Sequence, residues 1–190
     1  MIRLGILGST RGTNLLAIVE AIQQKRLPAE IEIVISNKQD ALILERAKSF
    51  GLRAHFIDPK GLTRDEYDSN VSNLLSEHAV DLVVLIGYMR ILSDAFVSKW
   101  QDKIINIHPS LLPAFAGKMD LEVHKAVLAS GVAETGCTVH YVTQEVDAGP
   151  IITQKKCPVE PHDTPELLKA RVQQLEGEAM VEAINKVVRC

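Results

Sequence analysis

Apolar runs of strand length, each followed by a stretch of helical periodicity, constrain this chain more than any other feature. Ile2–Leu7 (IRLGIL), Ala29–Ser36 (AEIEIVIS), residues 81–87 (DLVVLIG) and Ile104–His108 (IINIH) are runs too short for buried helices, and 81–87 is apolar on both faces, as a central parallel strand must be. Residues 53–57 supply a shorter strand. Between the runs, Leu15, Leu16, Ile18, Val19 and Ile22 repeat with helical spacing, and Asp40 stands where it can cap a helix running through Phe50 to Gly51. Thr63-Arg64-Asp65-Glu66 has the form of a capping box ahead of Tyr67, Val71, Leu74 and Leu75, and residues 93–101 form the next helix. This alternation predicts a right-handed, mostly parallel twisted sheet with helices on both faces, a Rossmann-like α/β fold in a single domain over residues 1–190.

The pattern changes after residue 107. Leu121–Ser130 reads as a helix closed by Gly131, and residues 114–120 carry small side chains with little to anchor them, which predicts mobility. Residues 136–142 and 150–159 are strands joined by the polar turn 143–149 with no intervening helix, so an antiparallel pair at one edge of the sheet is expected. Thr164 caps a long last helix with Pro165 at its first position, turning Leu168, Val172, Leu175, Ala179, Ile184 and Val187 inward.

Ligands bind at the carboxyl tips of strands in such sheets, and three tips carry residues that need explaining. Asn106 and His108 are two apart at the end of a strand, so they share a face and offer one neutral and one titratable donor, while Pro109 and Pro113 stop the ladder just beyond. Capping of the local backbone is the simpler use of such a pair. Gly8-Ser9-Thr10-Arg11-Gly12-Thr13-Asn14 joins a strand to a helix; its backbone N–H groups and the helix N-terminus suit a phosphate, or the loop is a plain tight turn. It lacks the G-x-G-x-x-G fingerprint and the P-loop lysine, which argues against dinucleotides and NTPs. Met89-Arg90-Ile91-Leu92 follows the central strand and could wall a flat aromatic ligand with its main-chain groups left free, or simply enter the core. Arg64 is a surface arginine or a contact to an anionic ligand. The fold brings these loops to one rim, with an anion cradle, an apolar slot and a donor pair but no cysteine nucleophile or metal set, an inventory suited to acyl transfer without a covalent intermediate.

A net charge of −3 argues against a general nucleic-acid binder. Cys137, Cys157 and Cys190 are odd in number and widely spaced, as reduced thiols of a cytoplasmic protein would be, and no presequence or membrane-length apolar run is present.

The motifs Gly12-Thr-Asn-Leu15, Gly87-Tyr-Met-Arg-Ile-Leu92, Asn106-Ile-His-Pro-Ser-Leu-Leu-Pro113, and Gly136-Cys-Thr-Val-His-Tyr-Val142 leading to Asp147-Ala-Gly-Pro-Ile151 together resemble the folate-dependent phosphoribosylglycinamide (GAR) formyltransferases of purine biosynthesis over nearly the whole chain. The wider superfamily shares the Asn-x-His and the later Asp; the glycine loop is what points to the ribonucleotide. The resemblance implies the formyltransferase fold and a catalytic set of Asn106, His108 and Asp147, with Asn106 and His108 bonding the formyl oxygen as it becomes an oxyanion. Without the resemblance, Asp147 reads as a turn residue before Ala148-Gly149. Gly12, Thr13 and Asn14 would hold the substrate phosphate, with Gln173 and Glu176 reaching the ribonucleotide. The co-substrate 10-formyltetrahydrofolate would lie against Met89, Arg90, Ile91, Leu92 and Asn106, with Thr143, Gln144, Glu145, Val146 and Asp147 opposite and Arg64 as a further contact. No metal, nucleic acid or membrane is implied, and the expected assembly is a monomer or weak homodimer. The sequence departs from the family pattern at residues 117–124, where His124 takes no role, and it stops at Cys190 where relatives commonly continue into a short hairpin. A formyltetrahydrofolate hydrolase usually adds an N-terminal regulatory domain, and a methionyl-tRNA formyltransferase needs a second, basic domain. A non-catalytic nucleotide-binding module would have lost Asn106, His108 or Asp147, and all three are present.

Overall fold

The computed structural model describes residues 1–189, so Cys190 and the thiol expected there lie outside the described residues. The chain forms two compact units, Met1–Asn106 and Ile107–Cys190.

In the first unit the strands β1 (Ile2–Leu7), β2 (Ala29–Ser36), β3 (Ala54–Phe56), β4 (Leu82–Leu85) and the start of β5 (Ile104–His108) are all parallel, in the order β3-β2-β1-β4-β5. Leu4, Ile6 and Leu7 of β1, between β2 and β4, are fully buried, which is why that run shows no polar face. At the entry to β1 and β4, Arg3 donates two side-chain bonds to Asp81, at 2.9 and 2.8 Å, and these hold the carboxyl down to about 2. The helices are α1 (Thr13–Gln23), α2 (Leu42–Ser49), α3 (Arg64–Glu77) and α4 (Asp94–Lys99).

The capping box forms as the sequence predicts. Thr63 Oγ1 accepts from the Glu66 N–H at 3.2 Å, and the Glu66 carboxylate accepts from the Thr63 N–H at 2.8 Å. Ser93 caps α4, accepting from the Phe96 N–H, and its own N–H donates to Asp68 Oδ2 at 2.6 Å; Trp100 Nε1 donates to Ser72, tying α3 to the end of α4. Asp40 does not cap α2. That helix begins after Ala41 with no side-chain cap, and the Ile43 N–H donates instead to the Thr10 carbonyl at 3.1 Å. A backbone acceptor from the loop after β1 has taken the place of the local carboxylate. Two strands are also shorter than their apolar runs. β3 pairs only through Ala54–Phe56, and β4 ends at Leu85 because Gly87 turns away with φ +56°.

In the second unit, β6 (Glu134–Tyr141) and β7 (Ile151–Pro158) pair antiparallel from Glu134↔Pro158 to His140↔Ile151, as expected. α5 (Leu121–Ser130) closes on Gly131, and α6 (Pro165–Arg189) packs on β6, β7 and α5. Thr164 accepts from the Leu167 N–H at 3.2 Å, the predicted cap. The inward stripe of α6 is Leu168, Val172, Ala179, Met180, Ala183 and Ile184, while Leu175 and Val187 are only half-buried. Cys137 and Cys157 are free thiols; burial pushes Cys137 up to about 12, so it stays protonated. Among the described residues no helix is long and apolar enough to cross a membrane.

Candidate active site

Each unit carries part of what the motifs predict. In the first, the glycine loop enters α1 through Gly12, whose φ of +64° is left-handed and whose absent Cβ would sit 2.4 Å from Ile43 Cγ1. Only glycine fits there, and no side chain caps α1. Thr13 is exposed and Asn14 buried at the helix start.

Ser9 laces this loop to its neighbours. Its Oγ donates to Asn37 Oδ1 at 2.5 Å and accepts from the Met89 N–H at 2.9 Å, while its own N–H donates to the Gly87 carbonyl at 3.1 Å. The carboxyl tips of β2, β1 and β4 are therefore one network, which brings the glycine loop and the Met89 segment together as the fold class predicts. The same bond corrects one expectation: the Met89 N–H is taken by Ser9, so the slot does not keep all its main-chain donors free. Met89 and Ile91 present exposed apolar side chains, Leu92 turns into the core, and the Arg90 guanidinium lies 4.2 Å over the Tyr67 ring. Arg64 is exposed in the first turn of α3, where it lines an open cleft of about 570 Å³ with Asp65, Ser93, Asp94 and Ala95. Asn106 is half-buried on β5, opposite Leu85 of β4.

In the second unit, His108 closes β5 and is 4% exposed. Its Nδ1 lies 3.3 Å from Asp147 Oδ2, and its Nε2 lies 3.2 Å from the Phe115 carbonyl. The ring is thus held between a carboxylate and a backbone carbonyl. Asp147 sits in a left-handed turn, φ +55°, a conformation aspartate tolerates better than most residues, with its side chain 10% exposed. Its Oδ2 also accepts from the Gly117 N–H at 2.8 Å, and its Oδ1 faces His140 Nε2 at 3.7 Å. His140 is held below the ordinary histidine range by burial, against the pull of the Tyr141 carbonyl and Asp147. Its Nδ1 is 2.9 Å from that carbonyl. The residue pattern does not single out His140. It lies in the Gly136–Val142 motif, on a strand where a histidine reads as core, and only the turn that folds Asp147 back reveals it.

Residues 114–120 are not free of anchors. Ser110 donates to the Ala114 carbonyl, Phe115 and Gly117 hold His108 and Asp147 as described, and Asp120 pairs with Lys169. Backbone groups supply most of these contacts, which is why small side chains do not betray them. Thr143, Gln144, Glu145 and Val146 are exposed in the turn before Asp147, and Gln173 and Glu176 are half-buried on α6. His124, one of the residues the motifs leave unassigned, is buried on α5 with Nδ1 unpartnered, and burial pushes it down to about 4. Among the described residues no group of three or more His, Cys, Asp or Glu side chains could hold a metal ion.

The family model described as formyl transferase matches residues 2–184. The chain is 42% identical over 172 residues to the phosphoribosylglycinamide formyltransferase of Escherichia coli K12, covering 90% of this chain and 80% of that protein. It is 46% identical to the trifunctional purine biosynthetic protein adenosine-3 of Gallus gallus over 98% of its own length, but spans only 18% of that larger protein. The crystal structure of glycinamide ribonucleotide transformylase 1 from Symbiobacterium toebii matches with a TM-score of 0.93 at 44% identity, covering 97% of this chain and 86% of that one. The fold is thus the mostly parallel, seven-stranded α/β fold with an antiparallel pair that these structures share. On a family model that runs nearly end to end and a bacterial relative matched over four-fifths of its length, the chain belongs to the formyl transferase family and groups within it with the phosphoribosylglycinamide formyltransferases.

Proposed function

We propose that this chain, acting as a single formyltransferase domain over residues 1–190, moves a formyl group from 10-formyltetrahydrofolate to the amine of 5-phosphoribosylglycinamide in purine biosynthesis. The observation that carries the reading is the buried His108–Asp147 pair at the tip of β5, an imidazole kept next to a carboxylate and two residues along the strand from Asn106. One family model running through both units supports the single domain.

The amine lone pair attacks the formyl carbon and the formyl oxygen becomes an oxyanion. Asn106 and His108 donate to that oxygen, His108 through the Nε2 that otherwise faces the Phe115 carbonyl, and a positioned donor of this kind is worth roughly 3–4 kcal/mol of barrier. Collapse then breaks the bond from the formyl carbon to the folate N10, and the proton lost by the attacking nitrogen passes to N10, with Asp147 holding the water that relays it. Asp147 is suited to this because its carboxylate already faces the His108 ring within the site.

The ribonucleotide phosphate is read onto Gly12, Thr13 and Asn14, where α1 starts with no side-chain cap, and its ribose side onto Gln173 and Glu176. The folate is read onto Met89, Arg90, Ile91 and Leu92, whose exposed Met89 and Ile91 offer apolar area, with Thr143 to Asp147 and Arg64 as further contacts. The reading also makes the enzyme cytoplasmic, a monomer or weak homodimer acting on small molecules rather than nucleic acid, with no metal.

With donor labelled by carbon-13 in the formyl group, mass spectrometry should find the label in formylglycinamide ribonucleotide. Label appearing only in free formate would refute the proposal.

A further inference from the structure

Arg90 combines a ring contact with an unpartnered buried donor. Its guanidinium carbon lies 4.2 Å over the centroid of the Tyr67 ring, and its Nε is buried with no hydrogen-bond partner. A guanidinium stacked on a ring has one face sealed, so its free donors lie in its own plane and can reach only an acceptor that arrives edge-on. Tyr67 is itself fully buried in the first turn of α3, where its N–H donates to the Thr63 carbonyl at 3.0 Å, so the ring that carries the arginine stands on the start of that helix. Burial raises the Tyr67 phenol, which keeps the ring neutral and its face a fit surface for a cation.

We infer that Tyr67 is a positioning residue: it holds Arg90 flat so that the in-plane N–H donors meet an acceptor atom of the formyl donor, and it sets the affinity for that donor without touching it. The inference rests on residues 89–92 being the donor slot, and it deepens that reading by assigning a role to a residue on another element. An unstacked arginine would spread over many rotamers and bind the same acceptor more weakly.

The test replaces Tyr67 with phenylalanine and with phenylalanines of increasing ring fluorination, which keep the shape of the ring and drain its face of negative charge. Tyr67→Phe should leave the donor KM within about twofold of the wild type, and the most fluorinated ring should raise it about tenfold, with the ribonucleotide KM and thermal unfolding unchanged. In an Arg90→Ala background the fluorinated series should have no effect on the donor KM. A donor KM that ignores fluorination, or that responds equally with Arg90→Ala present, overturns the inference while formyl transfer by the wild type stands. A wild-type protein that transfers no formyl group and binds no folate overturns the functional reading, and this inference with it.

Discussion

His108, Asp147 and Gly12 are the positions where single atoms decide most. Asp147 holds three contacts at once, to His108, to the Gly117 N–H and toward His140. Asp147→Asn keeps the volume but removes the carboxylate beside the His108 ring. The expected outcome is a kcat lowered by about 10²–10³ with little change in either KM, read by steady-state kinetics; wild-type activity in this variant would remove Asp147 from the mechanism. Gly12 is constrained by conformation and space together. Gly12→Ala imposes a Cβ on a left-handed backbone and drives it into Ile43, so a loss of about 2–4 kcal/mol in denaturant unfolding is expected, together with a weakened ribonucleotide KM. The glycine was legible in the sequence as part of a turn, whereas its clash partner was not, because Ile43 is thirty-one residues away on α2. His140 was hidden for the same reason: its relation to Asp147 depends on how residues 143–149 turn, which no local spacing encodes.

At the scale of elements, β1 and β2 matched their apolar runs end for end, since a buried parallel strand needs apolar residues on both faces and a punctuating loop, and both signals are local. The caps divide instructively. Thr63 and Glu66 lie three apart and satisfy each other, so their box could be read directly, and Thr63→Ala should cost about 1 kcal/mol of stability by denaturant titration. Asp40 failed as a cap because the Thr10 carbonyl, thirty-three residues upstream of Ile43, is the better-placed acceptor. The anchors of residues 114–120 were invisible because the backbone makes most of them. On α5, His124 is pushed down to about 4 by burial first, then by Lys169, with Asp120 opposing and His108 adding to the fall. Its folded pKa is below the unfolded value of about 6.5, so the unfolded chain binds the extra proton; the stability this represents is present above pH 6.5 and is lost as pH falls toward 4, by about 3 kcal/mol at most. His140, depressed in the same direction, adds to the slope. His124→Leu should flatten the fall in unfolding free energy between pH 6.5 and 4, and an unchanged slope would show that His124 does not titrate with unfolding.

For the molecule as a whole, the family was the most legible property, because its motifs are contiguous stretches such as Asn106–Pro113 that survive without knowledge of the third dimension. The choice of acceptor is subtler, since the Asn-x-His and Asp147 fit both formyl transfer and formyl hydrolysis, and the glycine loop is what argues for a phosphorylated acceptor. The most direct measurement is the rate of deformylation of 10-formyltetrahydrofolate, followed by absorbance with and without 5-phosphoribosylglycinamide, with His108→Ala as control. Turnover that requires the ribonucleotide and drops by about 10²–10³ in His108→Ala is the predicted result. Folate released at the same rate without the ribonucleotide would make the chain a hydrolase and contradict the account of the Gly12-Thr13-Asn14 loop as the phosphate cradle.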